Sequence, residues 1–183
     1  MASAAAESKI YAGTHSDFFL KLGDVKGESQ DDKHKGEIDV FSFSFGANQP
    51  GSSAIGGQGA GVGKVNFSEF GITKQIDAST PKLMLGCATG QHFPEATFTA
   101  RRAGGTQSEY LKIKLTNVLI SSYRTTSHGE GGATDSGLKA TLPIDVISLN
   151  FAKIEFNYKA QNPDGTDGAN TQAIYNLQTN KKE

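Results

Sequence analysis

The stretch Gly57-Gln-Gly-Ala-Gly-Val-Gly-Lys64 has the glycine density of a phosphate-binding loop, in which backbone amides cradle an anion. The required spacing fails: the glycine needed at position 58 is Gln58, and the Ser or Thr needed after the lysine is Val65. A strand pattern also follows where a phosphate-binding helix should begin. His15, His34, His92 and His128 are scattered, without an i, i+4 pair or a neighbouring cysteine set, and read as surface histidines rather than zinc ligands. Cys87 falls on the core face of a predicted helix, where a thiol is inert. Glu28, Asp31 and Asp32 have the residue types of a general-acid pair, but a lysine-rich loop makes them a solvated turn. Asn66-Phe67-Ser68 fits a glycosylation sequon in the middle of a strand, where it is coincidental. No catalytic, cofactor-binding or metal-binding set emerges, and the chain does not read as an enzyme.

Composition narrows the class. The 183 residues carry a net charge of −1, are 36% apolar and 20% charged, and contain 22 glycines, 11 phenylalanines and no tryptophan. That is one domain with a real core, built from strands and glycine turns. The balance of charge lacks the basic footprint of a nucleic-acid binder. A single cysteine permits no internal disulfide, so the fold can form in a reducing cytoplasm. No apolar run is long enough to span a bilayer, and residues 1–10 lack the basic and apolar regions of a signal peptide.

Any surface chemistry must therefore be positioned by strands. Residues 1–16 read as a flexible leader, 17–178 as a single β-barrel domain, and 179–183 as a polar tail. Residues 17–22 form a strand, and 24–36 a polar loop. In residues 38–45, Ile38, Val40, Ser42 and Ser44 share one face and Asp39, Phe41, Phe43 and Phe45 the other; the phenylalanines read as the core face. Residues 64–73 form a strand whose apolar phase shifts near Glu69, through a bulge or through burial on both faces. Thr80 as cap, Pro81 in the first turn, the stripe Leu83, Met84, Cys87, Ala88 and the stop at Gly90 define one helix. Strands follow at 95–102, 110–123 and 141–159, the last with a bulge near Ala152-Lys153, and a short one at 173–177. The loops 127–137 and 161–170 separate them. The fold class is all-β, a mainly antiparallel barrel or sandwich, with one short flanking α-helix.

Two features remain for function. The strands place small uncharged residues (Ser42 and Ser44, Asn66 and Ser68, Thr97 and Thr99) opposite their apolar faces, either as an ordinary wet surface or as the lining of a channel. Residues 46–63 hold seven glycines, either as a plain flexible loop or as one that wraps a neighbouring subunit.

Phe18-Phe-Leu-Lys-Leu-Gly-Asp-Val-Lys-Gly-Glu-Ser29 and His34-Lys-Gly-Glu-Ile-Asp-Val-Phe-Ser-Phe-Ser-Phe-Gly46 resemble the Hcp (haemolysin-coregulated protein) family. The likeness extends through Thr73-Lys74, Asp77, Ser79-Thr-Pro81, Cys87, Arg102-Ala-Gly-Gly105, Glu109-Tyr-Leu111, Val118–Ser122 and Leu149-Asn-Phe-Ala152, roughly residues 17–160. The resemblance implies the tail-tube subunit of a bacterial type VI secretion system. Hexameric rings would stack into a tube that can carry effector proteins in its lumen. The implied partners are other rings, a spike protein (VgrG-like), a contractile sheath and a baseplate, without nucleic acid or membrane insertion. Assembly would occur in the cytoplasm of a Gram-negative bacterium, with secretion independent of a signal peptide. Ser44 occupies the family's lumen-facing position, with Ser42 beside it by alternation. Asn48, Gln49, Pro50, Gly51, Ser52, Ser53, Gly57, Gln58 and Gly61 belong to the loop that contacts the next subunit. The alternatives are a monomeric secreted β-barrel module that binds a carbohydrate or protein, and a phage tail-tube protein.

Overall fold

The computed structural model describes residues 16–49, 65–102, 108–127, 143–162 and 165–183. Their strands are β1 (Ser16–Leu22), β2 (Ile38–Val40), β3 (Ser42–Ser44), β4 (Ala47–Asn48), β5 (Asn66–Phe67), β6 (Phe70–Gln75), β7 (His92–Arg102), β8 (Glu109–Thr126), β9 (Ile144–Asn150), β10 (Lys153–Gln161), β11 (Asp167–Asn176) and β12 (Lys181–Lys182); the helix is α1 (Thr80–Thr89). All pairings are antiparallel.

The strands close a barrel. Going round it, β1 pairs with β7, β7 with β8, β8 with β9, β9 with β6 and β6 with β3. The circuit is completed because β3 continues from β2, which pairs back to β1. At the corner between them the Phe41 amide donates to the Thr73 carbonyl at 2.8 Å, so the chain leaves one strand's edge and joins another's. This corner corrects the even alternation expected over 38–45. Ile38 and Val40 are buried, Phe43 and Phe45 pack against the core, and Phe41 is 58% exposed because the chain changes face there.

The same device operates in β8. Leu111, Ile113 and Leu115 are buried at odd positions, Val118 and Ile120 at even ones, and Asn117 between them has φ 52°. Asparagine tolerates that left-handed backbone better than most residues. Opposite the kink, the predicted 141–159 strand is broken at Phe151-Ala152 into β9 and β10, both paired with β8, and the Ala152 amide donates to Thr116 at 3.0 Å. Beyond β10 the sheet continues outward as β11 and β12. The last strand is therefore longer than expected, taking in residues assigned to the 161–170 loop, and the 179–183 tail contains an edge strand.

Helix α1 ends as the sequence requires, with Gly90 at φ 65° capping carbonyls of Cys87 and Gly86. Its start differs. Ser79 is the N-cap residue, without a side-chain cap bond, and the Thr80 hydroxyl is turned towards Asp145. The helix is also rolled from the expected stripe. Leu83 and Gly86 are buried, Cys87 is half-buried, and Met84 and Ala88 are exposed. A Cβ at Gly86 would lie 3.2 Å from Ile120 and 3.3 Å from Phe93, so the smallest residue sets the approach.

Inside the barrel Phe98 is the aromatic hub, with Phe43, Phe70 and Phe18 ring centroids at 4.5, 5.3 and 5.7 Å. Phe98→Ala should cost about 3–5 kcal/mol in chemical denaturation. A cost below about 1 kcal/mol would show that the cluster collapses into the vacated space.

Candidate functional site

The outer face of β3, β6, β9 and β8 contains a row of very small residues. Ser44 stands opposite Gly71, Gly71 opposite Ser148, and Ser148 opposite Ser122. In the next row Ser42 faces Thr73, and their hydroxyls are hydrogen-bonded at 2.6 Å. The strands approach so closely that a Cβ at Gly71 would sit 2.6 Å from Ser44 Oγ. Ser121 Oγ donates to the Ser148 carbonyl at 3.1 Å. Ser42 and Ser44 are both exposed on this face. The first charge alongside is Arg124, which is paired in register with Val146.

Thr97 and Thr99 belong elsewhere, contrary to the grouping by residue type. Thr97 stands between Lys21 and Lys114 on the face formed by β1, β7, β8 and β10, and Thr99 is buried. That second face is a lattice of opposite charges: Lys114 with Glu95 at 2.7 Å, Lys112 with Glu109 at 3.0 Å and Lys159 with Asp167 at 3.1 Å. The barrel thus separates a neutral wall from a charged one.

Asn48 pairs with Asn66 where β4 meets β5, and Gln49 follows it. Pro50, Gly51, Ser52, Ser53, Gly57, Gln58 and Gly61 lie outside the described residues, as does the leader apart from Ser16. The β4–β5 pair covers the start of an apolar groove of about 470 Å³ whose walls include Phe45, Phe67, Ile154, Phe156 and Tyr175. Beside it runs the outer edge of β11, exposed from Ala169 to Ala173, and among the described residues β12 pairs only with Tyr175 and Asn176.

Sequence reasoning missed a buried polar knot. Lys74 and Asp145 are both fully buried, with Lys74 Nζ 3.3 Å from Asp145 Oδ2 and 2.7 Å from Asp77 Oδ1. Thr80 donates to Asp145 Oδ2 at 2.5 Å, while Tyr123 and Thr125 donate to Oδ1 at 2.9 and 2.8 Å. Burial pushes this carboxyl up, but the three hydroxyls and the lysine charge outweigh it and hold Asp145 below the ordinary value of 3.8. Burial in turn raises the Tyr123 phenol. The knot joins β6, α1, β8 and β9 at one end of the barrel.

The 24–36 loop is only in part the expected solvated turn: Glu28 and Asp32 are exposed, but other residues anchor it. Ser29 and His34 are buried, and Asp31 pairs with the buried Arg101 at 2.6 Å. Among the described residues no group of three His, Cys, Asp or Glu side chains converges as a metal site.

A closed antiparallel barrel with one helix and an outlying hairpin is the fold of a class of type VI secretion proteins. The sequence model described as "Type VI secretion system effector, Hcp" matches residues 19–158, and the chain belongs to the Hcp family. It is 45% identical over 167 residues to protein hcp1 of Pseudomonas aeruginosa, covering 90% of this chain and 96% of that protein. A solved structure of a type six secretion system protein superposes with TM-score 0.80 at 31% identity, over 92% of this chain and all of that one. Hcp1 of Salmonella typhimurium gives 0.72 at 27% identity, over 92% and 99%.

Asp145→Asn should destabilise the protein by about 3 kcal/mol near neutral pH, because Lys74 loses a buried counter-charge. The native carboxyl has the lower affinity for protons, so the unfolded chain is protonated first on acidification. The stabilisation is complete above about pH 5 and is lost as the pH falls through 3.8 towards the native value. Denaturation midpoints of wild type and variant should converge at low pH; a constant gap would assign the stability to packing.

Proposed function

We propose that this Hcp-family chain is the tail-tube subunit of a type VI secretion system. Six copies close a ring, and rings stack into a tube whose neutral wall, including Ser42 and Ser44, faces the lumen. The observation that carries this reading is the charge-free row Ser44–Gly71–Ser148–Ser122 across four strands. Apart from Arg124 at the end of the Ser42 row, this wall carries little fixed charge to trap or repel passing proteins by sign, which suits transient effector cargo.

A ring needs two different surfaces on each subunit. One is the loop containing Asn48, Gln49, Pro50, Gly51, Ser52, Ser53, Gly57, Gln58 and Gly61. The other is the β11 edge: residues 168–173 contain no charge and no proline, and such edges are normally covered. Ring assembly belongs to the cytoplasm of a Gram-negative cell. A contractile sheath on a baseplate then expels the tube behind a VgrG-like spike, so the subunit leaves without a signal peptide.

Light scattering after gel filtration should give about 116 kDa, six copies of the 19.3 kDa chain. A monomer at micromolar concentration would count against the ring. Ser44→Arg should keep the same mass while changing the retention of a co-purified effector; an insoluble or monomeric variant would place Ser44 in the core or an interface. Deleting residues 51–59 should reduce the mass while the β-sheet circular dichroism is retained.

A further inference from the structure

The loop between β1 and β2 has a specific construction. Phe19 points out of the barrel wall, and two side chains lie against it. The Arg101 guanidinium is 5.1 Å from the ring centroid, and the His34 imidazole is stacked at 4.1 Å with the planes 9° apart. Arg101 is pinned by Asp17 of β1 at 3.0 Å and Asp31 of the loop at 2.6 Å. The loop is also bonded within itself: Gly27 N to Gly36 O, Ser29 N to Glu37 O and Gly36 N to Ser29 O. Side chains are excluded at Gly27, where a Cβ would meet the Glu37 carbonyl oxygen at 2.3 Å.

The two nitrogens of His34 both face carboxylates. Nδ1 is 2.8 Å from Glu37 Oε2, and Nε2 is 3.6 Å from Glu109 Oε1 at the start of β8. Nε2 is buried and has no hydrogen-bond partner among the described residues. An ionised carboxylate only accepts, and a neutral imidazole donates from one nitrogen. With Nδ1–H on Glu37, a neutral ring would turn its bare lone pair on Glu109; an imidazolium offers a proton to each.

We propose that His34 is a proton-dependent fastener that holds the 24–37 loop to β8 when the imidazole is doubly protonated and loosens it when one proton leaves. The surrounding charges fit. Burial would raise Glu109, but Lys112, His34 and Lys33 outweigh it and hold its carboxyl below the ordinary 4.5. Arg101, beside Phe19, opposes a second cation, but Asp17 and Asp31 answer its charge. Fastening therefore needs both carboxylates ionised and both ring nitrogens protonated, and it is lost as pH rises and the second proton leaves. Because Glu28 Oε1 accepts from Ala78 N just before α1, loosening also frees the approach to the helix.

This inference is independent of the tube reading. The test is amide hydrogen exchange at about pH 6 and about pH 8.5, corrected for the intrinsic rate, read at Gly27, Ser29, Gly36 and Glu37. In the wild type these amides should lose about tenfold protection at the higher pH, while barrel amides such as Ile113 do not change. In Glu109→Gln the new side-chain amide can donate to a neutral Nε2, so protection should persist. In His34→Phe the stack remains and the pH step should vanish. Equal wild-type protection at both pH values, a loss spread over the whole barrel, or a full step in either variant would overturn the proposal.

Discussion

The pairing of Lys74 with Asp145 is the constraint around which one end of the barrel is arranged. Neither group reaches water, so Asp145 needs Lys74, Lys74 is held between Asp145 and Asp77, and the remaining lone pairs need donors. Those donors are supplied by Thr80 in the first helical turn and by Tyr123 and Thr125 late in β8. Placing one hydroxyl under the carboxylate fixes where α1 begins, and with it the roll that brings Gly86 against Phe93 and Ile120. A hydrophobic plug at the same place would tolerate several helix registers; a carboxylate with four donors tolerates one.

From that fixed end the two walls diverge in character. Towards β3 and β6 the rows shrink to serine and glycine, while towards β7 and β10 they carry alternating lysine and glutamate. Individual surface ion pairs add little stability. Their effect is on solubility and on which surface another protein meets. β8 is shared by both walls: the kink at Asn117 exchanges its inward and outward positions, and the register shift between Ile120 and Ser122 exchanges them back. One strand thereby carries charged Lys112 and Lys114 beside β7 and β10 and neutral Ser121 and Ser122 beside β9.

Local patterns in the sequence carried much of this. The odd-position run Leu111, Ile113, Leu115 specified its strand and its inward face, and Gly90 marked the end of the helix. The phase changes near Glu69 and Ala152 marked where strands switch partners. What the pattern could not carry were pairings between distant residues. Lys74 and Asp145 look like ordinary surface charges until the fold joins them, and His34 looks like a solvent histidine until Phe19 and Glu109 are beside it. Phe41 misled for a related reason: alternation assumes one sheet, and the corner at that residue belongs to two. Ser42 and Ser44 were legible as an outward pair, but their neighbours Gly71, Ser148 and Ser122 were identified only by the register of three other strands.

Strand β8 has a mechanical consequence. It is held along one edge by β7 from Glu109 to Leu119 and along the other by β10 and then β9 from Leu111 to Thr126. Antiparallel hydrogen bonds lie perpendicular to the strand. A pull along β8 therefore loads many bonds in shear at once, whereas a pull across the outlying β11–β12 hairpin would open bonds one after another. Load along β8 is thus shared with three neighbouring strands, whereas the two-residue β11–β12 pairing yields at lower force.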